Sequence, residues 1–214
     1  MKAIKLTTVL FLVLCLFSMC KKDSKKDADN TNGVYYVRGT LNGQALNWQV
    51  PANGNDWVVG SRGQIGNDMG HIIGGITALV SAYPGFAPQL GVEFKTFHRL
   101  PDGDGVAAFN NFVTTGAWTY TNNEDYVVGK KEFAIYYMDG AGKEYSSIPG
   151  AQSGSTANVI SATPVSGSVY NADSGLKIKL TFSCTLYPVD GTGNSIKINI
   201  TDATVFLDNL IVNS

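Results

Sequence analysis

Few side chains in this sequence have the types and spacing needed for acid–base or nucleophilic chemistry. Histidine occurs only twice in 214 residues, as His71 and His98, so a zinc site built from three histidines is excluded. Each histidine adjoins an apolar run, which predicts a position near the end of a strand rather than a catalytic base. The sequence has no G-x-S-x-G nucleophile motif. We therefore expect a protein with no catalytic residues, no metal site and no cofactor.

Two patterns of acidic residues leave other chemistry open. Asp102 and Asp104 lie in a glycine-rich stretch, and such a turn can supply oxygen ligands to calcium. Val106 stands where a third ligand is expected, which favours an ordinary solvated turn. Two carboxylates that face each other can also hydrolyse a glycosidic bond. The acids that neighbouring strands could bring together in this way are Glu93, Asp125 and Glu132.

The tryptophans are the feature most typical of ligand binding. An exposed indole can stack on the apolar face of a sugar, and the candidate residues are Trp48, Trp57 and Trp118. Trp48 and Trp57 flank one Asn- and Gly-containing loop, so we expect them at one end of the domain. Trp118 follows two small residues, which predicts an uncovered ring. The alternative is that these rings fill the core, as aromatic residues of strands usually do.

The composition narrows the class of partner. The chain has 16 Lys and Arg against 17 Asp and Glu, so it lacks the positive field that nucleic-acid binding needs. Hydrophobic residues make up 44% and charged residues only 15%, which is typical of an ordered domain with a core. We therefore expect no nucleic-acid partner.

Residues 1–19 have the pattern of an export signal. Two lysines precede an apolar run that ends at Met19, and this run is shorter than the roughly 20 residues of a membrane-spanning helix. Cys20 follows directly, before Lys21-Lys22-Asp23. This arrangement resembles the signal of bacterial lipoproteins, which implies that Cys20 is acylated and becomes the new N-terminus. A secreted protein with an unmodified Cys20 is the alternative.

The next segment, residues 20–33, contains lysines, aspartates and small residues. It has no large apolar side chain to bury, so we predict a flexible tether between the lipid and the domain. The domain itself is predicted over residues 34–214.

The domain sequence alternates between apolar and polar residues. Every even position from Leu176 to Leu186 is apolar, which predicts a strand with one face in the core and Cys184 on that face. Asn42-Gly43 predicts a tight hairpin turn. The alternation from Ile196 to Ile200 predicts another strand. We expect this strand to end at Thr201-Asp202 and a further one to follow.

The predicted fold is all-β. Turn residues separate about ten to twelve short strands, which favours an antiparallel β-sandwich. Val106, Phe109 and Val113 stand at helical spacing and predict one short helix near residues 106–113.

Two stretches of the second half carry a family resemblance. They are residues 133–147 and the ending Phe182-Ser183-Cys184-Thr185-Leu186-Tyr187. Together with the Cys-Lys-Lys-Asp start, they resemble outer-membrane lipoproteins of the Bacteroidota that contain a β-sandwich domain of unknown function. The resemblance implies a lipid-anchored protein of the outer membrane and cell envelope. Its surface or periplasmic orientation stays open.

Three functions are compatible with this sequence. The first is a non-catalytic binding module for a glycan or a partner protein. The second is a structural or accessory subunit of an envelope complex. The third is a carbohydrate-active enzyme that uses two carboxylates.

Overall fold

The computed structural model describes residues 35–49, 58–68, 71–81, 88–99, 104–123, 127, 130–148, 152–169 and 172–208. The predicted signal, the tether and Cys20 therefore lie outside the described residues. The compact unit that contains all the described elements spans residues 33–214.

Antiparallel β-structure dominates this part of the chain, so the all-β prediction is confirmed. The strands in chain order are β1 (Tyr36–Leu41), β2 (Gln44–Gln49), β3 (Val58–Asp68), β4 (His71–Ser81), β5 (Gln89–Arg99), β6 (Gly116–Ala117), β7 (Thr119–Tyr120), β8 (Glu132–Met138), β9 (Glu144–Ser146), β10 (Thr156–Val169), β11 (Ala172–Pro188) and β12 (Ile196–Asp208). His71 and His98 lie near strand ends, as predicted. No helix within these residues is long and apolar enough to cross a membrane.

Strand β11 connects two groups of strands. Along most of its length it pairs with β10 and β12, and β12 leads on to β1 and β2. The last residues of β11, Tyr187 and Pro188, pair instead with β9. Strand β9 then leads through β8, β5 and β4 to β3. The predicted face-to-face packing of two sheets as a sandwich stays a prediction.

The alternation predicted for β11 is confirmed. Its even-numbered residues from Leu176 to Leu186 are all buried, and Cys184 is one of them. Burial raises the pKa of the Cys184 thiol to about 12, because the interior does not solvate a thiolate. Cys184 therefore acts as a small apolar side chain of the core, which it shares with Phe182 and Leu186.

The predicted end of a strand at Thr201-Asp202 is wrong. Strand β12 continues through these residues, and a bulge there shifts the register against β11 between the pairs Leu180–Ala203 and Phe182–Ile200. An extra residue in one strand changes which side chains face the core. The inward positions of β12 therefore change from even to odd numbers while the strand itself goes on. The prediction failed because a bulge and a strand end give the same change of alternation in a sequence.

The short predicted helix is present as α1, Gly105–Asn110. The Asp104 carboxylate caps it by accepting hydrogen bonds from the backbone N–H groups of Val106 (3.0 Å) and Ala107 (3.1 Å). Asp104 therefore has a structural role in the stretch considered above for calcium. Asp102 lies outside the described residues.

The first hairpin forms as predicted. Asn42 and Gly43 both adopt positive φ angles, 50° and 81°, which a two-residue turn of this kind requires. Next to this hairpin, Gly39 allows β1 to approach β12 very closely. A Cβ atom on Gly39 would overlap the backbone carbonyl oxygen of Asn199.

We predict that Gly39→Ala destabilises the domain by about 1–3 kcal/mol, the usual cost of forcing extra atoms into a packed site. Urea unfolding followed by tryptophan fluorescence measures this change. Gly140→Ala is the matched control, because no atom lies within 4 Å of the added methyl group, and its effect should stay within about 0.5 kcal/mol. Equal unfolding midpoints for the two variants would contradict the close approach.

Candidate functional site

Several turns of the chain lie together at one end of the strands, which we call the loop end. It consists of the β1–β2 turn (42–43), the β8–β9 turn (139–143) and the β11–β12 loop (189–195). The Asn42 N–H donates to the Lys197 carbonyl at 2.6 Å, and the Val189 N–H donates to the Glu144 carbonyl at 3.0 Å. Hydrogen bonds to the neighbouring strands therefore fix the position of these turns.

An open groove of about 420 Å³ lies between the β8–β9 turn and the β11–β12 loop. Its volume is within the range of small-ligand sites. Its lining residues are Ala141, Gly142, Lys143, Glu144, Val189 and Asp190. Val189 is 59% exposed, and the Glu144 side chain also faces solvent. The groove therefore offers a carboxylate and an aliphatic side chain side by side.

The β8–β9 turn is shaped by its own hydrogen bonds. One Asp139 carboxylate oxygen accepts from the backbone N–H groups of Ala141 and Lys143, both at 2.9 Å. Gly142 has a φ of 82°, and its N–H donates to the Asp139 carbonyl at 3.0 Å. This wall of the groove is therefore formed without any ligand.

The opposite wall is organised by Asp190. Its carboxylate accepts from the Thr192 N–H at 2.9 Å and from the Thr192 hydroxyl at 2.8 Å. These two bonds, and then the nearby Lys143 ammonium, lower the pKa of Asp190. Asp190 is therefore ionised at neutral pH and holds the loop in its turn.

Lys143 connects the two walls. Its Nζ donates to the Thr192 carbonyl at 2.7 Å and lies 3.6 Å from an Asp190 carboxylate oxygen. The same ammonium is 5.9 Å from the centre of the Tyr145 ring, within reach of a cation–π contact. The Lys143 ammonium is thus engaged by the opposite wall. The Glu144 and Val189 side chains face solvent, and the Asp190 side chain is 55% exposed as well.

The Gln152 side chain makes four hydrogen bonds to three segments of the chain near the loop end. Its amide nitrogen donates to the carbonyls of Ser147 (3.0 Å) and Thr185 (2.8 Å). Its amide oxygen accepts from the Thr185 N–H at 3.1 Å and from the Ser155 hydroxyl at 2.9 Å. One side chain therefore joins the residues after β9, the residues before β10, and β11. The sequence gives no sign of this role, because Gln152 is 33 positions from Thr185.

Of the three predicted tryptophans, Trp48 and Trp118 lie within the described residues, and neither has a fully exposed ring. Trp118 is only 6% exposed, so the prediction of an uncovered ring is wrong. Its indole N–H donates to the Thr114 carbonyl at 2.9 Å, and its ring meets Phe94 edge-on with centroids 5.2 Å apart. Trp48 is partly buried and packs against the core. Trp57 lies outside the described residues.

The acidic candidates form part of a polar cluster that sequence reasoning missed. Glu93 is only 4% exposed and accepts a hydrogen bond from the Tyr136 hydroxyl at 2.9 Å. Lys95 is fully buried and donates to the Asn123 carbonyl at 2.7 Å. In the β5–β8 register Lys95 stands opposite Glu132, so the charged residues share one face of the sheet. Asp125 lies outside the described residues.

The hydrogen bonds of this cluster hold other parts of the protein in place. Lys95 holds the backbone of Asn123, the Thr121 hydroxyl donates to the same carbonyl at 3.1 Å, and Glu93 holds Tyr136. With 4% of its surface exposed, Glu93 is not open to solvent in this structure. The alternation Glu93-Phe94-Lys95 does place the two charged residues on the face opposite Phe94, but it does not indicate that this face is covered.

Comparisons with protein-family profiles, curated proteins and solved structures found no match for this chain.

We predict that Trp118→Ala lowers the free energy of unfolding by about 3–5 kcal/mol, because it removes a buried ring and leaves a cavity. Trp118→Phe should cost clearly less, since it keeps an aromatic ring against Phe94 and loses the hydrogen bond to Thr114 and only part of the ring. Chemical unfolding of both variants measures the difference. A Trp118→Ala protein as stable as the wild type would show that the ring is not part of the core.

Proposed function

We propose that this protein is a lipoprotein of the outer membrane whose β-domain is a non-catalytic binding module. An acyl group on Cys20 holds it to the membrane, residues 20–33 form the tether, and the groove at the loop end receives the ligand. The ligand class that suits this groove best is a glycan, and a partner protein is the second candidate.

The observation that carries the binding proposal is the preformed groove. Its walls are held by Asp139, by Asp190 and by the Lys143 bridge between them, so no loop has to be ordered when a ligand arrives. Preorganised sites lose less entropy on binding. Sites on loops that a rigid sheet positions are also where binding residues are concentrated.

The groove's outward-facing groups are suited to a sugar. The Glu144 carboxylate can accept hydrogen bonds from hydroxyl groups, and such charge-assisted bonds are strong. Val189 offers an aliphatic surface for the C–H face of the ring. Because the groove is open to solvent, a sugar unit can reach it without entering a closed pocket.

The anchoring part of the proposal predicts that Cys20→Ala moves the protein from the membrane to the soluble fraction. The cause is the loss of the thiol that carries the lipid. Cys15→Ala is the matched control, since Cys15 lies inside the predicted signal and should leave the fractionation unchanged. Intact-mass measurement of the membrane form provides the direct check, and an unmodified Cys20 there would contradict the proposal.

The binding part predicts that Glu144→Ala combined with Val189→Asp weakens the binding of a glycan found on an array by tenfold or more. A lost hydrogen bond to a charged group costs about 1.5–3 kcal/mol, and about 1.4 kcal/mol is a factor of ten. The thermal melting point should not change, because both side chains are exposed. Isothermal titration calorimetry measures the affinity.

Val106→Asp is the matched control for this experiment, since Val106 on α1 is 46% exposed and lies away from the groove lining. Unchanged affinity in the groove variant would place the binding site elsewhere. A chain that retains no glycan on the array and no protein from an envelope extract would refute the binding module itself.

A further inference from the structure

The outer edge of β2 differs from the free edge of β10. Among the described strands, β2 pairs only with β1, so its second edge has no strand beside it. Such an edge presents a row of backbone donors and acceptors to any other extended chain. Natural sheets usually protect it with a charge, a proline or a bulge. Strand β2 has the sequence Gln-Ala-Leu-Asn-Trp-Gln, which contains none of these residues.

Strand β10 provides the contrast within the same sheet. Beyond its short pairing with β6, which involves Asn158 and Val159, its free edge has two of these three kinds of protection. A bulge shifts its register between Val159 and Ser161, and Pro164 removes one backbone donor. The unprotected edge of β2 is therefore not a general property of this sheet.

The hairpin geometry shows which backbone groups of β2 point outward. Leu41 and Gln44 close a two-residue turn and so form a hydrogen-bonded pair, and pairs of this kind alternate along an antiparallel ladder. In the observed register Leu46 and Trp48 therefore also bond to β1. The N–H and C=O groups of Ala45, Asn47 and Gln49 point to the free edge.

We propose that β2 pairs with β2 of a second copy of this chain, in antiparallel orientation about a two-fold axis at Asn47. In this register Ala45 stands opposite Gln49 of the other copy, and the outward groups of both strands form about six backbone hydrogen bonds. A two-fold contact needs such a self-complementary surface.

The side chains of β2 fit this register. Leu46 stands opposite Trp48 of the other copy at a non-hydrogen-bonded position, where side chains are closest. Leu46 and Trp48 both lie on the core side of the sheet, so the pairing extends the core and covers the exposed part of the Trp48 ring. Asn47 meets its own copy on the other face. No like charges meet, because β2 is uncharged.

The pairing is compatible with two lipid anchors. Tyr36, where β1 begins, is level with Gln49, and Gln49 of the second copy is level with Ala45. The two chains therefore start β1 roughly 13 Å apart along the strand direction. Both tethers can reach one membrane from there.

The test uses the chain from residue 20 onward with Cys20→Ala, so that lipid-driven association is absent. Analytical ultracentrifugation over a wide range of concentrations should show a reversible monomer–dimer equilibrium. Asn47→Lys places two charges opposite each other, and Asn47→Pro removes a donor that β1 does not use. Each variant should raise the dissociation constant by tenfold or more. Asn158→Lys is the matched control on β10 and should leave the dimer unchanged.

Cysteine cross-linking tests the register and does not depend on the stability of these variants. Asn47→Cys should form an intermolecular disulfide under mild oxidation, because hydrogen-bonded partners have Cα atoms about 5.5 Å apart. Ala45→Cys should not, because it lies roughly 13 Å from its own copy. The native Cys184 is buried and does not compete. A monomer at every concentration, a dimer that persists in both Asn47 variants, or equal cross-linking of both cysteines would overturn the proposal. A dimer without glycan binding would leave it standing and refute only the glycan site.

Discussion

The position of almost every strand depends on β11. This strand pairs with β10 and β12 along most of its length and with β9 at its last two residues. Its even-numbered side chains also provide a continuous apolar row in the core. A shift of one residue in β11 would turn this whole row toward the polar side. The alternation of apolar and polar residues in β11 therefore fixes how both groups of strands pair with it.

Local patterns in the sequence were sufficient to predict much of this architecture. The alternation in β11, the Asn42-Gly43 turn and the short helix after Asp104 all depend on neighbouring residues, and all are present. The bulge in β12 was not predictable, because only the pairing with β11 distinguishes it from a strand end. The predicted exposure of the Trp118 ring is wrong for a related reason. The small residues before it did indicate a ring without local cover, but Phe94, from a distant strand, covers it.

The sequence predicts the individual turns of the candidate site but not that they form one groove. Asp139-Gly140 and Asp190-Gly191 are recognisable as turns from their residue types. Their meeting at one groove follows from the pairing of β9 with the last residues of β11, which no local pattern indicates. The same holds for the buried cluster of Glu93 and Lys95. A charged residue at an alternating position predicts a solvated face, whereas the structure covers that face.

The pairing of β1 with β12 has a consequence for how the protein is made. Tyr36 reaches Asp202 across 166 positions, with its hydroxyl 3.1 Å from each carboxylate oxygen. Strand β1 can pair with β2 at once, but its other edge stays unpaired until β12, the last of the described strands, has been made. Non-local pairing of this kind makes folding slow. During synthesis the outer edge of β1 therefore stays exposed to other chains until β12 has been made. We expect such a chain to depend on chaperones that cover apolar, strand-forming segments while it is being made.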